Sequence, residues 1–132
     1  MRFLLDTHVW LWSLLTPAQL SVQTQAALTN TQHELYLSPI SIWESLLLIE
    51  RGRIKVAISP TQWVTSALKH SSLVEAPLTH RIAIRSRAIT LPHRDPADRF
   101  IAATALEMGL TLMTADRILL NHQQVSTRPA AV

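Results

Sequence analysis

Cysteine is absent from this 132-residue chain, and only two glycines occur, Gly52 and Gly109. Without cysteine there is no disulfide scaffold, no thiolate zinc site and no cysteine nucleophile. Two isolated glycines exclude the Walker A phosphate loop and the Rossmann glycine fingerprint, because each motif needs several. The composition therefore excludes nucleotide-cofactor binding by either route. It also fits the reducing cytoplasm, where we expect the protein to reside.

Long apolar runs are also lacking. No apolar segment approaches the roughly 18 to 20 residues that span a bilayer, so we expect a soluble chain without a membrane partner. The apolar start, MRFLLDTHVWLWSLL, is interrupted by Asp6 and His8. We therefore predict the first strand and helix of the fold there, rather than a signal peptide. The length suits one domain, which we place at residues 1–132.

Acidic residues are few: nine, against 12 basic residues, ten of which are arginine. Only four are aspartates: Asp6, Asp95, Asp98 and Asp116. If these shared one pocket with Glu44, the rest of the molecule would carry 12 basic and 4 acidic residues, a balance of +8. A basic shell around an acidic pocket suits a polyanionic substrate bound through its phosphates. Scattered, solvated arginines are the alternative.

Short apolar runs of strand length alternate with helical stretches along the chain. We predict strands at 2–5, 34–38, 73–78, 110–114 and 124–127, and helices at 8–15, 21–31, 41–51, 60–70, 80–90, 97–108 and 117–121. Such alternation predicts an α/β fold with a mainly parallel sheet covered on both faces. The last segment, TRPAAV, is expected to be frayed.

Proline and glycine mark the predicted helix boundaries. Four pairs, each a capping residue followed by proline, predict helix starts: Thr16-Pro17, Ser38-Pro39, Ser59-Pro60 and Asp95-Pro96. Gly52 and Gly109 each follow a helical pattern, where glycine can adopt the left-handed conformation that ends a helix.

Two aspartates follow predicted strands. Asp6 comes directly after the first strand, and Asp116 follows the fourth by one residue. Because ligand sites of parallel sheets lie at the carboxyl ends of the strands, we expect both side chains at the same edge. Carboxylates gathered there repel by about 4 kcal/mol per close pair at an effective dielectric near 20, so they must protonate or hold cations. Hard divalent cations such as Mg²⁺ prefer these oxygen ligands.

Each aspartate also has a structural explanation. Asp95 can cap the helix that begins at Pro96, and Asp98 can complete a capping box at the third helical position. Asp6 and Asp116 can each cap the helix that follows. We retain capping as the main interpretation for Asp95 and favour a shared metal site for the others.

Glu44 matches a capping box with Ser41. The preceding Ser38-Pro39 pair already provides a helix start, however, so Glu44 falls in the second turn among apolar residues. A carboxylate in such surroundings is strongly disfavoured unless something cationic compensates it. We therefore favour a functional role for Glu44.

Histidine and tryptophan give weaker signals. None of the six histidines forms an H-x-H or H-E-x-x-H pattern, so a histidine zinc site is not expected. His8 and His93 lie near acidic positions and could contact phosphate, but we interpret them as ordinary surface histidines. Three tryptophans are expected to pack in the core or at an interface rather than to stack on bases, and we favour the core: Trp10, Trp12 and Trp43.

Four motifs in this order, LLDTHVWLW, SPISIWE, DPADRFIAATA and LMTAD, resemble those of the PIN-domain family, and most closely the VapC-type toxins of toxin-antitoxin modules. The resemblance covers nearly the whole chain. It implies a three-layer α/β/α sandwich with a mainly parallel, about five-stranded sheet. It also implies a Mg²⁺- or Mn²⁺-dependent endoribonuclease that hydrolyses RNA phosphodiester bonds, a homodimer, and a small cognate antitoxin as partner.

By this resemblance, four acidic residues are expected to bind metal and act in catalysis: Asp6, Glu44, Asp98 and Asp116. Asp95 matches the extra aspartate of a D-P-x-D variant. Thr7 and Thr114 match hydroxyl positions beside the site, and Arg99 matches a supporting position without a defined role.

Other functions are compatible with an acidic sheet edge. A stand-alone RNA-processing PIN nuclease would share every motif, and a PIN fold that only binds RNA or protein would share the architecture. A phosphoacceptor signalling domain also has an acidic pocket at this edge. Such a domain pairs adjacent acidic residues early and needs a lysine late in the sheet, whereas the only lysines here are Lys55 and Lys69.

Overall fold

A computed structural model describes residues 1–132, and at its centre lies one five-stranded sheet in which every neighbouring pair is parallel. The strands are β1 (Arg2–Leu5), β2 (Glu34–Leu37), β3 (Leu73–Glu75), β4 (Thr111–Thr114) and β5 (Thr127–Pro129). The helices are α1 (Thr7–Leu15), α2 (Val22–Thr29), α3 (Pro39–Glu50), α4 (Pro60–Lys69), α5 (His80–Ala88), α6 (Pro96–Met108) and α7 (Arg117–Leu120). A 3₁₀ turn spans Pro17–Gln19.

The strand order is β3-β2-β1-β4-β5. From β1 the chain builds outward through β2 and β3 on one side, and it then crosses back to place β4 and β5 on the other. The order therefore reverses between β1 and β4. In open parallel sheets the loops leaving the strands separate at such a reversal and open a crevice at the carboxyl ends. The topology thus places such a crevice beside the carboxyl ends of β1 and β4.

Helices cover both faces of the sheet because successive strand side chains point to opposite sides. On one face, Leu4 packs in a cluster with Ile101 of α6. On the other face, Phe3 packs in a second cluster with Trp10 of α1. All four side chains are almost fully buried. Two buried faces explain why β1 is apolar at consecutive positions, and they confirm the predicted three-layer α/β/α architecture.

Three of the four predicted helix starts are confirmed. The side chains of Ser38, Ser59 and Asp95 each accept a hydrogen bond from a backbone N–H of the helix that follows. The prediction at Thr16 was wrong, because Pro17 opens only the 3₁₀ turn and the Thr16 side chain makes no capping bond. The next helix, α2, begins after Ser21, whose hydroxyl accepts from Thr24 N.

The carboxyl-terminal segment was predicted incorrectly. The fifth strand lies at Thr127–Pro129 rather than at 124–127, and it belongs to the segment expected to be frayed. Ala130 is fully buried, and its N–H donates to Thr114 O at 3.0 Å. A bridge between Leu20 and Ala131 extends the contact. Parallel pairing with β4 therefore orders the strand Thr127–Pro129, which has no apolar run of its own.

One tryptophan departs from the expected core position. Trp10 is buried and Trp12 packs against the same apolar cluster, as predicted. Trp43 is instead 51% exposed, because it lies on the outward side of α3. No helix of the structure has both the length and the apolarity needed to cross a membrane.

Replacing Gly109 with alanine should lower the free energy of unfolding by about 1 kcal/mol, because Gly109 ends α6 with φ +63° in the left-handed region. No atom lies within 4 Å of an added Cβ, so the effect is one of backbone strain alone. Urea unfolding measures the change. Gly109→Asn is the matched variant and should lose less stability than Gly109→Ala, since asparagine tolerates the left-handed conformation. Equal losses of stability in the two variants would contradict the explanation by backbone strain.

Candidate active site at the carboxyl edge of the sheet

Asp6 lies at the carboxyl end of β1, in the crevice beside β4. Its N–H donates to Met113 O at 3.0 Å, which continues the parallel pairing of these two strands past the end of β1. Only 8% of the residue is exposed. Its Oδ1 accepts from Thr7 N at 2.8 Å, and its Oδ2 accepts from Thr114 Oγ1 at 2.7 Å. Asp6 thus caps α1, as one interpretation held, and both of its oxygens are also fixed in the crevice.

Thr7 and Thr114 both make hydrogen bonds beside Asp6. Thr114 donates to Asp6 and also accepts from Asp116 N at 3.0 Å, so it connects the two aspartates. The Thr7 hydroxyl donates to Ser41 Oγ at 2.9 Å and thereby links the start of α1 to α3. Thr7, Ser41 and Thr114 are fully buried. These bonds hold the ends of β1 and β4 and the first turns of α1 and α3 together.

Glu44 lies in the second turn of α3 and does not form a capping box. Ser38 caps this helix, and Ser41 Oγ is occupied by Thr7. Burial raises the pKa of Glu44, and the negative charges of Asp95 and Asp6 raise it further. The Thr7 hydroxyl acts in the opposite direction, but without reversing the shift. Glu44 is therefore a half-buried carboxyl group that faces other carboxylates.

Asp98 occupies the first turn of α6, and no backbone N–H donates to its side chain there, so the proposed capping box with Asp95 is absent. Burial raises the pKa of Asp98 to about 7, and the charges of Asp6, Asp95 and Glu44 contribute to the rise. His93 lowers it only in part. Burial likewise raises the pKa of Asp6 despite its hydrogen bonds.

Asp116 is held differently. Its Oδ1 accepts from Ile118 N at 2.8 Å and from Leu119 N at 3.3 Å, which caps α7. Its Oδ2 accepts from His93 Nε2 at 2.6 Å. Burial raises the pKa of Asp116, but the His93 bond and the two backbone bonds outweigh burial, so the pKa is lowered overall. Asp116 is thus the one carboxylate of the site whose ionised form the protein stabilises.

His93 was wrongly interpreted as an ordinary surface histidine. Its side chain is only 8% exposed, and its Nε2 lies 3.8 Å from Asp98 Oδ2 in addition to the bond with Asp116. One nitrogen of His93 and one oxygen from each of the two aspartates lie within 4.8 Å of one another. The available signal in the sequence is its position two residues before the DPAD motif.

Two predicted supporting residues lie at the margin of the site. Asp95 is exposed and caps α6 by accepting from Ala97 N at 2.9 Å, as expected, while its charge still reaches Asp98 and Glu44. Arg99 does not join the carboxylates. Its guanidinium instead donates to four backbone carbonyls, those of Ser86, Ile89, Leu91 and His93.

The predicted acidic residues therefore meet at one edge: Asp6, Glu44, Asp98 and Asp116, with Asp95 beside them. No lysine or arginine forms an ion pair with any of the five. Buried carboxylates without a cationic partner resist ionisation, and the raised pKa values express this. An oxygen-rich cluster of this kind is chemically suited to a hard divalent cation.

Comparison with known proteins agrees with this fold. The family model of the PIN domain matches residues 3–123. Ribonuclease VapC22 of Mycobacterium tuberculosis (strain ATCC 25618 / H37Rv) is 37% identical over 132 residues, with 98% of this chain and 96% of the relative covered. The fold and the acidic residues at the carboxyl edge of the sheet together define the class of protein. It is an α/β/α protein with a cluster of carboxylates at the point where the strand order reverses. More particularly, the chain belongs to the PIN-domain family, among its VapC-type members.

Two solved structures share the architecture. VapBC2 from Rickettsia felis, bound to a DNA fragment from its promoter, has a TM-score of 0.68 at 12% identity and covers 98% of this chain and 99% of that chain. DNA-bound VapBC from Salmonella typhimurium has a TM-score of 0.66 at 17% identity, with 97% of each chain covered. At such low identity these likenesses bear on the fold alone.

Metal-free protein should lose stability as the pH rises from about 4 to about 7, because over this window folded Asp98, with a pKa of about 7, retains a proton that the unfolded chain, with a pKa of 3.8, releases. Asp98→Asn should flatten this decline and melt at a higher temperature than the parent above pH 7. Thermal unfolding in EDTA at a series of pH values measures it.

The matched control is Glu75→Gln, which neutralises an exposed carboxylate on β3 outside the cluster. This variant should keep the pH dependence of the parent. Parallel curves for the parent and Asp98→Asn would show that the Asp98 carboxyl ionises normally in the fold.

Proposed function

We propose that residues 1–132 form one nuclease domain, an endoribonuclease that depends on Mg²⁺ or Mn²⁺ and serves as the toxin of a type II toxin-antitoxin pair. The observation that carries this proposal is the cluster of Asp6, Glu44, Asp98 and Asp116, which lacks any lysine or arginine partner. The 37% identity to a protein named a ribonuclease supports the reaction class.

The donor set fits a hard divalent cation. Asp6, Glu44 and Asp98 all have raised pKa values because burial, together with the negative charges of neighbouring carboxylates, outweighs the opposing effect of His8 and His93. With Asp116, these three carboxylates would hold the ion or ions. A bound divalent cation supplies charge stabilisation for a phosphodiester under attack and lowers the pKa of a coordinated water. Because Mg²⁺ usually retains waters and accepts substrate phosphate, four protein carboxylates are enough for one ion or a pair.

The protein's own contribution is to orient these groups before substrate arrives. Thr114 and the Thr7 N–H fix both oxygens of Asp6, so its carboxylate cannot rotate. Asp98 lies in the first turn of α6, whose start is capped by Asp95, and Glu44 lies in the second turn of α3, whose start is capped by Ser38. Rigid placement of this kind is what makes electrostatic stabilisation of a transition state effective.

Basic residues flank the acidic edge. Arg94 and Arg117 are exposed, and each lies next in sequence to a residue of the site, His93 and Asp116 respectively. Arginine at these places can bind the phosphates on either side of the scissile bond and fix the register of the RNA without reading its sequence. The net charge of +3 favours such a polyanion.

The proposed partner is a small cognate antitoxin, and the VapBC complexes with the same fold support this choice. An open cleft of about 550 Å³ beside α1 suits an apolar segment of that partner. It is lined by His8, Leu11, Trp12, Leu15, Thr16, Leu48, Arg53, Ile54 and Lys55. His8, which interacts electrostatically with Asp6, connects this cleft to the acidic edge. We further propose a homodimer that acts in the cytoplasm.

Asp6→Asn and Asp98→Asn should each lower RNA cleavage by more than about 100-fold, beyond the roughly 10-fold to 100-fold typical of residues that only support metal ligands. EDTA should abolish cleavage by the parent, and Mg²⁺ or Mn²⁺ should restore it. Rates on a labelled RNA measure both effects. Glu75→Gln is the control and should cleave like the parent; an Asp6→Asn protein that remained folded and fully active would refute the site.

A toxin should arrest growth when expressed, and co-expression of the small open reading frame beside its gene should relieve the arrest. Leu15→Arg, at an exposed position of the cleft, should keep cleavage but weaken this relief, whereas Val22→Arg on α2 should change neither. Cleavage without growth arrest or relief would instead favour a stand-alone RNA-processing nuclease.

A further inference from the structure

His93 is the one residue in contact with the acidic cluster to which neither the motifs nor the proposed function gives a role. It lies in the segment between α5 and α6, which has no regular secondary structure. Its neighbours Pro92 and Arg94 are exposed, yet only 8% of the His93 side chain is accessible. The segment, whose Ile89 and Leu91 are buried in the core, therefore also directs the His93 side chain inward, toward Asp116 and Asp98.

The contact with Asp116 fixes the half of that carboxylate that α7 leaves free. Backbone N–H groups of α7 bind Oδ1, and His93 Nε2 binds Oδ2 at 2.6 Å. Without His93, Asp116 would be held on one side only, and its second oxygen could rotate about the helix cap. Residues that hydrogen-bond a metal-binding carboxylate in this way set its orientation and so its affinity for the ion.

Arg99 holds the segment that carries His93. Its Nε donates to Ser86 O at 2.8 Å, and its Nη2 donates to Ile89 O at 2.8 Å. Its Nη1 donates to Leu91 O at 2.7 Å and to His93 O at 3.2 Å. No carboxylate pairs with this guanidinium. A planar group with several fixed donors can bridge these carbonyls, whereas the point charge of lysine cannot reach them all.

We propose that His93 is a positioning residue for Asp116, and that Arg99 maintains it in place by binding the backbone of its segment. The inference rests on the proposed function, since it assigns His93 to the metal site through Asp116. His93 then acts on metal affinity and leaves the binding of RNA unchanged.

Direct ligation of a metal by His93 is disfavoured by the same geometry. The nitrogen that faces the cluster is Nε2, and it lies 2.6 Å from Asp116 Oδ2 but 3.8 Å from Asp98 Oδ2. A nitrogen that donates its hydrogen to a carboxylate has no lone pair to offer a cation. His93 therefore orients a ligand rather than serving as one.

The decisive experiment compares Mn²⁺ binding to the full chain, without RNA, for the parent and for His93→Ala, His93→Gln and Arg99→Lys. Electron paramagnetic resonance of free Mn²⁺ reports binding independently of cleavage. His93→Ala should weaken Mn²⁺ binding about 10-fold to 100-fold. His93→Gln should recover most of the affinity, because its amide nitrogen can donate in the place of Nε2. Arg99→Lys should weaken binding in the same direction as His93→Ala.

The matched control is His122→Ala. His122 Nε2 contacts Thr90 O at 2.9 Å, on the same segment, but no carboxylate. This variant should bind Mn²⁺ like the parent. In cleavage assays His93→Ala should need more metal for half-maximal rate, while the KM for RNA remains that of the parent.

Equal Mn²⁺ affinity in His93→Ala and His122→Ala would overturn the positioning role and leave His93 a structural residue. A nitrogen coupling to bound Mn²⁺ that disappears in His93→Ala would overturn it in favour of direct ligation. If His93→Ala does not fold, His93→Asn replaces it, because its shorter amide cannot reach Asp116 and should bind Mn²⁺ weakly. Parent protein that binds Mn²⁺ no better than Asp98→Asn would overturn both this inference and the proposed function.

Discussion

The hydroxyl of Thr114 makes the interaction on which the rest of the acidic edge depends. It donates to Asp6 Oδ2 at 2.7 Å and accepts from Asp116 N at 3.0 Å, in a fully buried position. Two strands distant in sequence, β1 and β4, thus end on a shared hydrogen-bond network. Because this network lies where the strand order reverses, the topology opens a crevice there and Thr114 fixes what lines it.

The chain gives up stability at this edge. Four carboxylates meet with no lysine or arginine paired to them, and burial raises the pKa of Asp6, Glu44 and Asp98. Only Asp116 is stabilised as an anion, by His93 and by the start of α7. The carboxylates remain close together because the surrounding structure is rigid. Here that rigidity comes from helix caps, strand pairing and the Arg99 contacts to the backbone.

Much of the fold could be predicted because local chemistry and tertiary structure agree. Ser38-Pro39, Ser59-Pro60 and Asp95-Pro96 act as helix starts, and the apolar runs of β1, β2 and β4 are buried on both faces. Strand β5 could not be located from its own residues, because the sequence Thr127–Pro129 has no apolar pattern. This strand is ordered by its pairing with β4. The prediction of an α-helix start at Thr16-Pro17 was wrong because a capping residue followed by proline also suits a 3₁₀ turn.

Asp6 and Asp116 could be anticipated at one edge because residues that follow parallel strands converge there, and Glu44 could be anticipated from its apolar surroundings and from the family resemblance. The surroundings of His93 and Arg99 could not. His93 lies in a segment without regular secondary structure, and the sequence does not show that its side chain contacts Asp116. Arg99 reads as a surface charge, yet its partners are carbonyls contributed by tertiary structure. The contacts of His93 and Arg99 depend on the path of the backbone in the folded chain, which cannot be predicted from the neighbouring residues in the sequence.

Both edge strands of the sheet are short. Strands β3 and β5 have three residues each, and Pro129 removes a backbone donor from β5. A short edge strand that lacks a backbone N–H donor is a poor template for additional strands. Such edges protect proteins from edge-to-edge aggregation. Association with another polypeptide by strand addition is therefore disfavoured at both edges of the sheet.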